Sequence, residues 1–152
     1  MVILVSACLL GENCKYNGGN NLRPRLVEWL KKHEVVAVCP EMAGGLPCPR
    51  TPAERQGERV VNAEGTDVSE AFWQGAKAEI LRGKAAGAKL AILMSRSPSC
   101  GVGKIYDGSF RSVLTEGNGV FAELAAEEGI HLLDAADFEE GLADKLVQSL
   151  EK

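Results

Sequence analysis

Short, unbroken apolar runs alternate along the chain with segments of helical period. "VILVSA" (2–7) is apolar on both faces, as a parallel strand covered by helices on either side would be. "NLRPRLVEWLKKH" (21–33) predicts a helix with Leu22, Leu26, Trp29 and Leu30 on one face and Lys31, Lys32 and His33 in its last turn. "VVAVC" (35–39) repeats the buried-strand pattern, and a Pro- and Gly-rich stretch without period follows, predicting a long loop over 40–58. "ERVVNAEGTDV" (58–68) reads as a hairpin or extended arm. Asp67 and Glu70 have the spacing of a capping box, opening a helix that runs to Ala86 and stops at Gly87. "KLAILM" (89–94) is a third strand, and "SRSPSCGVGKIYDGSF" (95–110) is a Gly- and Ser-rich segment without period. A helix over 118–128 stopped by Gly129, a strand "IHLLDA" (130–135) and an amphipathic helix over 137–150, with Phe138, Leu142, Leu146 and Leu150 in register, complete the pattern.

This alternation predicts an α/β fold: a Rossmann-like three-layer α/β/α arrangement around a mainly parallel sheet. The 152 residues suit a single core, and no repeat or linker divides them, so one domain over 1–152 is expected. A net charge of −4 argues against bulk nucleic-acid binding, which needs a basic face. No apolar run approaches the roughly 20 residues that a membrane span requires. The opening "MVILVSAC" lacks the basic start and the apolar length of a signal peptide. Five cysteines, an odd number with no C-x-x-C, fit reduced thiols in the cytoplasm better than a disulfide framework.

The positions of the cysteines are more informative than their number. Cys8 follows the first strand, Cys39 closes the second, and Cys100 lies in the loop after the third. Parallel sheets bind ligands beyond the carboxyl ends of their strands, so these three loops share one edge. A lone cysteine at a strand end is most often a small packing residue. Three at one edge point to a site. A structural zinc centre is closed by four ligands, whereas an iron–sulfur cluster held by three thiolates leaves one iron open to a soft substrate atom. A cysteine nucleophile working as a hydrolase or transferase is the alternative, but it needs a base, and neither His33 nor His131 falls at this edge. A metal- or ligand-binding module without turnover is the third reading. Glu41, two residues after Cys39, is a candidate general acid or base. Ser97 and Ser99, flanking Pro98, either bind substrate or brace the turn, and Tyr16 in the first loop also belongs to the candidate crevice.

The blocks "VSACLLGENCKYNGG", "CPEMAGGLPCPR" and "SPSCGVGKIYDGSF" resemble, in order and spacing, the signatures of the thiouracil desulfidase (TudS-type) family, long known as a bacterial domain of unknown function. The resemblance implies a [4Fe–4S] cluster on Cys8, Cys39 and Cys100; Cys48, where the family pattern has a non-cysteine residue, departs from it and stands near Cys39 as an alternate ligand. It implies hydrolytic replacement of sulfur in a thiolated pyrimidine, 2- or 4-thiouracil or its nucleoside, giving uracil and sulfide. Glu41 and Ser97 would handle protons and water. Tyr16, Ser99 and Gly101, by their places in the loops, are candidate substrate contacts. The implied partner is this small molecule, with no membrane.

Overall fold

A computed structural model describes residues 1–152. Its centre is a sheet of strands β1 (Val2–Ser6), β2 (Glu34–Val38), β5 (Leu90–Leu93) and β8 (His131–Asp134), in the order β2-β1-β5-β8. All three pairings are parallel. Successive side chains of the central strands go to opposite faces. Ile3, Val5, Leu90 and Ile92 pack with Leu26, Trp29 and Leu30 of helix α1 (Pro24–Leu30) and with Ala143 and Val147 of helix α5 (Glu140–Leu150). Leu4, Ala91 and Leu93 pack on the other side with Phe72, Ala76 and Ile80 of helix α3 (Ser69–Ala86) and Val120 and Phe121 of helix α4 (Val120–Glu127). This is the three-layer arrangement expected from the doubly apolar strands.

The strand order reverses between β1 and β5: the chain leaves β1 for β2 on one side and returns to lay β5 on the other. The carboxyl ends of β1 and β5 therefore border the crevice at the switch point. There Ser6 Oγ accepts the Met94 N–H at 2.9 Å and ties the two strand ends together.

Several boundaries differ from the sequence reading, each for a local reason. α1 starts only at Pro24, because proline suits the first helical position and forces Arg23 into an extended conformation. Leu22 thus precedes the helix and is exposed. The stretch expected as a loop over 40–58 holds a short helix α2 (Pro40–Ala43) and strand β3 (Ala53–Gln56), which pairs antiparallel with β4 (Arg59–Asn62) around Gly57. The capping box does not form: Asp67 Oδ1 accepts the Ser69 N–H at 2.9 Å, but Glu70 Oε1 bonds Gln74. Gly87 caps α3 in the left-handed conformation, as expected. Within 95–110 the chain forms β6 (Lys104–Tyr106), paired with β7 (Leu114–Glu116) in a second hairpin. Phe138 lies before α5, after a 3-10 turn at Ala135–Asp137.

Two backbone approaches set the site. Gly44 at the end of α2 and Gly75 in α3 leave no room for a Cβ, which would collide with Ala71 O and Pro40 O respectively. α2 therefore docks backbone to backbone on α3 and carries Glu41 with it. The start of α4 performs the same service for the Cys100 loop. Its Val120 and Phe121 N–H groups, which have no partner within the helix, donate to Pro98 O and Ser99 O at 2.8 Å each.

Candidate functional site

Cys8 sits in the 3-10 turn Ala7–Leu10 that leaves β1, a turn closed by Gly11 in the left-handed conformation. Its Sγ accepts a hydrogen bond from Asn21 Nδ2 at 3.5 Å. Cys39 follows β2 and caps α2; its N–H donates to Glu79 Oε2 at 3.0 Å. Cys100 is buried, and its N–H donates to Ser97 Oγ at 3.0 Å. The three thiols thus occupy the three loops expected of them.

The electrostatics of Cys8 and Cys100 are not those of activated nucleophiles. Burial raises the pKa of the Cys8 thiol; the Asn21 hydrogen bond offsets part of this, and a charge on Cys39 would raise it further. Burial likewise pushes the Cys100 thiol far up, against hydrogen bonds from Ser6 and Ser99, and charges on Cys8 and Glu41 add to the rise. A reactive cysteine needs its pKa lowered by a base or cation. No histidine supplies one: His131 opens β8 at the amino end of the sheet, and His33 stacks on Trp29 with ring centroids 4.7 Å apart. Neither the Cys8 nor the Cys100 thiol is activated as a nucleophile.

Cys14 is a further thiol in this group. It is buried, and burial, then the neighbouring Cys39, pushes its pKa up to about 12. Cys39 Sγ lies 3.9 Å from Cys14 O. Cys48, the alternate ligand, instead directs its Sγ at the carbonyls of Asn13 and Lys15, at 3.1 and 3.3 Å. It braces the first loop. No three His, Cys, Asp or Glu side chains converge on a point that would hold a single ion. That disfavours a preformed mononuclear zinc site. Cys8, Cys39 and Cys100, two of them desolvated by burial, form an all-thiol donor set whose chemistry fits an iron–sulfur cluster.

A chain of polar groups runs beside the thiols. Glu41 Oε1 accepts Arg50 Nε at 2.9 Å, and both side chains are largely buried, 15% and 7% exposed respectively. Arg50 also donates to Cys14 O and Pro47 O, at 2.9 and 3.2 Å, so it joins three segments. Burial works against the guanidinium charge, but Glu41 outweighs it and holds the Arg50 pKa above its usual value. Glu41 Oε2 accepts the Ser99 hydroxyl at 2.8 Å, and Ser97 Oγ lies 3.0 Å from Ser99 Oγ. Ser99 is buried, whereas Ser97 is partly open to solvent. The hydroxyl touching Glu41 is therefore Ser99, with Ser97 one hydrogen bond further out. Glu41 and Arg50 also line a cleft of about 290 Å³ with Leu46, Pro47, Asn62 and Phe72.

The remaining candidates have structural duties. Gly101 donates its N–H to Ser97 O at 2.8 Å, and a Cβ there would collide with Ile105 and Ser97. Its smallness builds the turn. The Tyr16 side chain is 45% exposed, and its carbonyl accepts the Arg50 N–H at 2.6 Å. Glu79 escaped sequence reasoning altogether. A glutamate in a long helix reads as a surface position, and only its spacing from Phe72, Ala76 and Ile80 signalled otherwise.

A model of the 2-thiouracil desulfurase family matches residues 3–137. The protein YbbK of Bacillus subtilis (strain 168), described only as uncharacterized, is 36% identical over 142 aligned residues, covering 87% of this chain and 94% of its own. The solved structure of the [4Fe-4S]-dependent thiouracil desulfidase TudS superimposes with a TM-score of 0.87 at 41% identity, over 95% of this chain and 97% of that one. The chain belongs to the 2-thiouracil desulfurase family.

Proposed function

We propose that this family member removes sulfur from a thiolated pyrimidine, 2- or 4-thiouracil or its nucleoside, by hydrolytic replacement, using a [4Fe–4S] cluster held by Cys8, Cys39 and Cys100. The observation that carries the reading is the placement of Cys8, Cys39 and Cys100 on three strand-end loops at one sheet edge, beside the Glu41–Ser99–Ser97 chain. When bound, the cluster supplies a soft iron with one position open to the substrate's sulfur.

This chain's own residues do the rest. Arg50 pairs with Glu41 and orients one carboxylate oxygen. The other oxygen accepts the Ser99 hydroxyl, so Glu41 can draw a proton from water through the serines as the water's oxygen bonds the ring carbon. Ser97, the more open hydroxyl, meets the water first. Oxygen replaces sulfur on the ring carbon, the C–S bond breaks, and sulfide leaves with no change of oxidation state. The neighbouring cleft, with apolar walls of Leu46, Pro47 and Phe72 and the Asn62 amide, suits a small planar heterocycle.

All five thiols are free, which suits a reducing cytoplasm. No helix is long and apolar enough to cross a membrane. The test is anaerobic incubation of the purified protein with 2- and 4-thiouracil and 4-thiouridine, following product by chromatography and sulfide by trapping. Equal yields of desulfurised pyrimidine and sulfide are expected. No product from any of them, with iron bound, would refute the activity.

A further inference from the structure

α3 turns Phe72, Ala76, Ile80 and Gly83 toward the sheet, and Glu79 lies on the same buried stripe at 4% exposure. A carboxylate in such a place is costly unless its charge is paired and its oxygens are hydrogen-bonded. Glu79 meets both conditions. Oε1 accepts Arg82 Nη1 at 2.8 Å, one turn along the helix, and Oε2 accepts the Cys39 N–H at 3.0 Å. Arg82 Nη2 then reaches Ala37 O at 3.1 Å.

β2 is an edge strand, paired only with β1. Ala37 O and Cys39 N–H, two residues apart, take their partners from the Glu79–Arg82 pair. The pair thus performs the duty of a missing neighbouring strand at the one point where β2 delivers Cys39. An apolar residue at position 79 would fill the core but leave the Cys39 amide without its acceptor.

We propose that Glu79, supported by Arg82, is a positioning residue for Cys39: it fixes the backbone from which the thiol enters the crevice and sets a buried negative charge behind it. This rests on the ligand role given to Cys39 above. Groups that hold metal ligands from behind typically change metal retention by about 10–100-fold when removed.

The experiment compares the full-length wild type with Glu79→Leu and Glu79→Gln in three measurements. These are the melting midpoint of the cluster-free protein, the alkylation rate of Cys39 in that protein by mass spectrometry, and iron retention against a chelator after anaerobic reconstitution. Glu79→Leu should melt only slightly below wild type, because the half-exposed Arg82 can turn to water and the Cys39 amide alone loses its acceptor. It should nevertheless alkylate Cys39 several-fold faster and lose iron about 10–100-fold faster. Glu79→Gln keeps an acceptor, so retention should largely recover, while the lost charge moves the cluster's reduction potential to more positive values. Wild-type alkylation and retention in Glu79→Leu, or losses that merely follow a fallen melting midpoint, would overturn the proposal. If Glu79→Leu does not fold, an unchanged potential in Glu79→Gln overturns it instead. A wild type that takes up no iron would refute the cluster reading alone, because Cys39 alkylation still reports whether Glu79 positions that residue.

Discussion

The crevice at the carboxyl edge of the sheet and the groove between α1 and α5 are assembled by opposite means. The groove is the larger hollow, about 370 Å³, lined by Glu28, Trp29, Lys31, Lys32 and Glu140. Its ion pairs are exposed: Lys31 with Glu28 at 2.7 Å and Lys32 with Asp144 at 2.8 Å. Asp144 also accepts Trp29 Nε1 at 2.9 Å. The carboxyl edge holds what is costly to bury, namely Cys14 and Cys100, the Glu41–Arg50 pair and Glu79, and the cleft beside Glu41 is only about 290 Å³. Size does not locate chemistry here. Desolvated polar groups with assigned partners do, because a fold that carries their cost must be compensated elsewhere.

The sharpest way to break this comparison is to remove a thiol. Cys8→Ser and Cys100→Ser should each lose the cluster and all turnover, whereas Lys31→Ala, at the groove, should leave turnover per iron unchanged. Iron analysis beside a product assay reads both. Loss of activity in Lys31→Ala with full iron would move the site.

Next in size is the carboxylate. Glu41→Gln should keep its iron while turnover falls about 10²–10⁴-fold, the usual contribution of a positioned acid or base. Ser97→Ala should fall less, because Ser99 remains against Glu41. Equal turnover in Glu41→Gln and wild type would remove Glu41 from the proton path.

Stability separates the two regions as well. Arg50→Met leaves Glu41 buried and unpaired, which should cost about 3 kcal/mol in chemical denaturation of the cluster-free protein. Lys32→Met, at an exposed pair, should cost at most about 1 kcal/mol. Similar losses in both would erase the distinction.

The smallest effect is the response to pH, which has opposite sign at the two places. Without the cluster, the Cys8, Cys14 and Cys100 thiols have pKa values above the ordinary value of 9.0. The unfolded chain therefore releases these protons first, and stability falls as pH rises beyond about 9. At the groove end, burial, then the chain's amino terminus and Lys32, lowers the His33 pKa below 6.5, and neither ring nitrogen has a hydrogen-bond partner. The unfolded chain binds that proton first, so this contribution is present above about pH 6.5 and lost as pH falls through the folded value. Melting midpoints of the cluster-free protein across pH should decline at both ends, and His33→Phe should flatten only the acid limb.

Much of this was legible in the sequence because topology does the assembling. Once "VILVSA", "VVAVC" and "KLAILM" are recognised as parallel strands, Cys8, Cys39 and Cys100 must share an edge. What was not legible depends on side-chain direction and on very short elements. β6 and β7 are too short for their alternation to show against the glycines and serines around them. The order of Ser97 and Ser99 along the chain does not tell which hydroxyl meets Glu41; burial of Ser99 decides it. Cys48 lies near Cys39 in sequence, but its thiol makes closer contacts to backbone carbonyls, at 3.1 and 3.3 Å, than the 3.9 Å of Cys39. Glu79 was hidden because an unpaired edge-strand amide cannot be seen before the strand order is known.

The central claim is that Cys39, not Cys48, completes the thiol set. It is tested most directly by iron and acid-labile sulfide per chain in anaerobically reconstituted wild type, Cys39→Ser and Cys48→Ser. The account predicts about four of each in wild type and in Cys48→Ser, as a [4Fe–4S] cluster requires, and background levels in Cys39→Ser. A full cluster in Cys39→Ser, or none in Cys48→Ser, would contradict it.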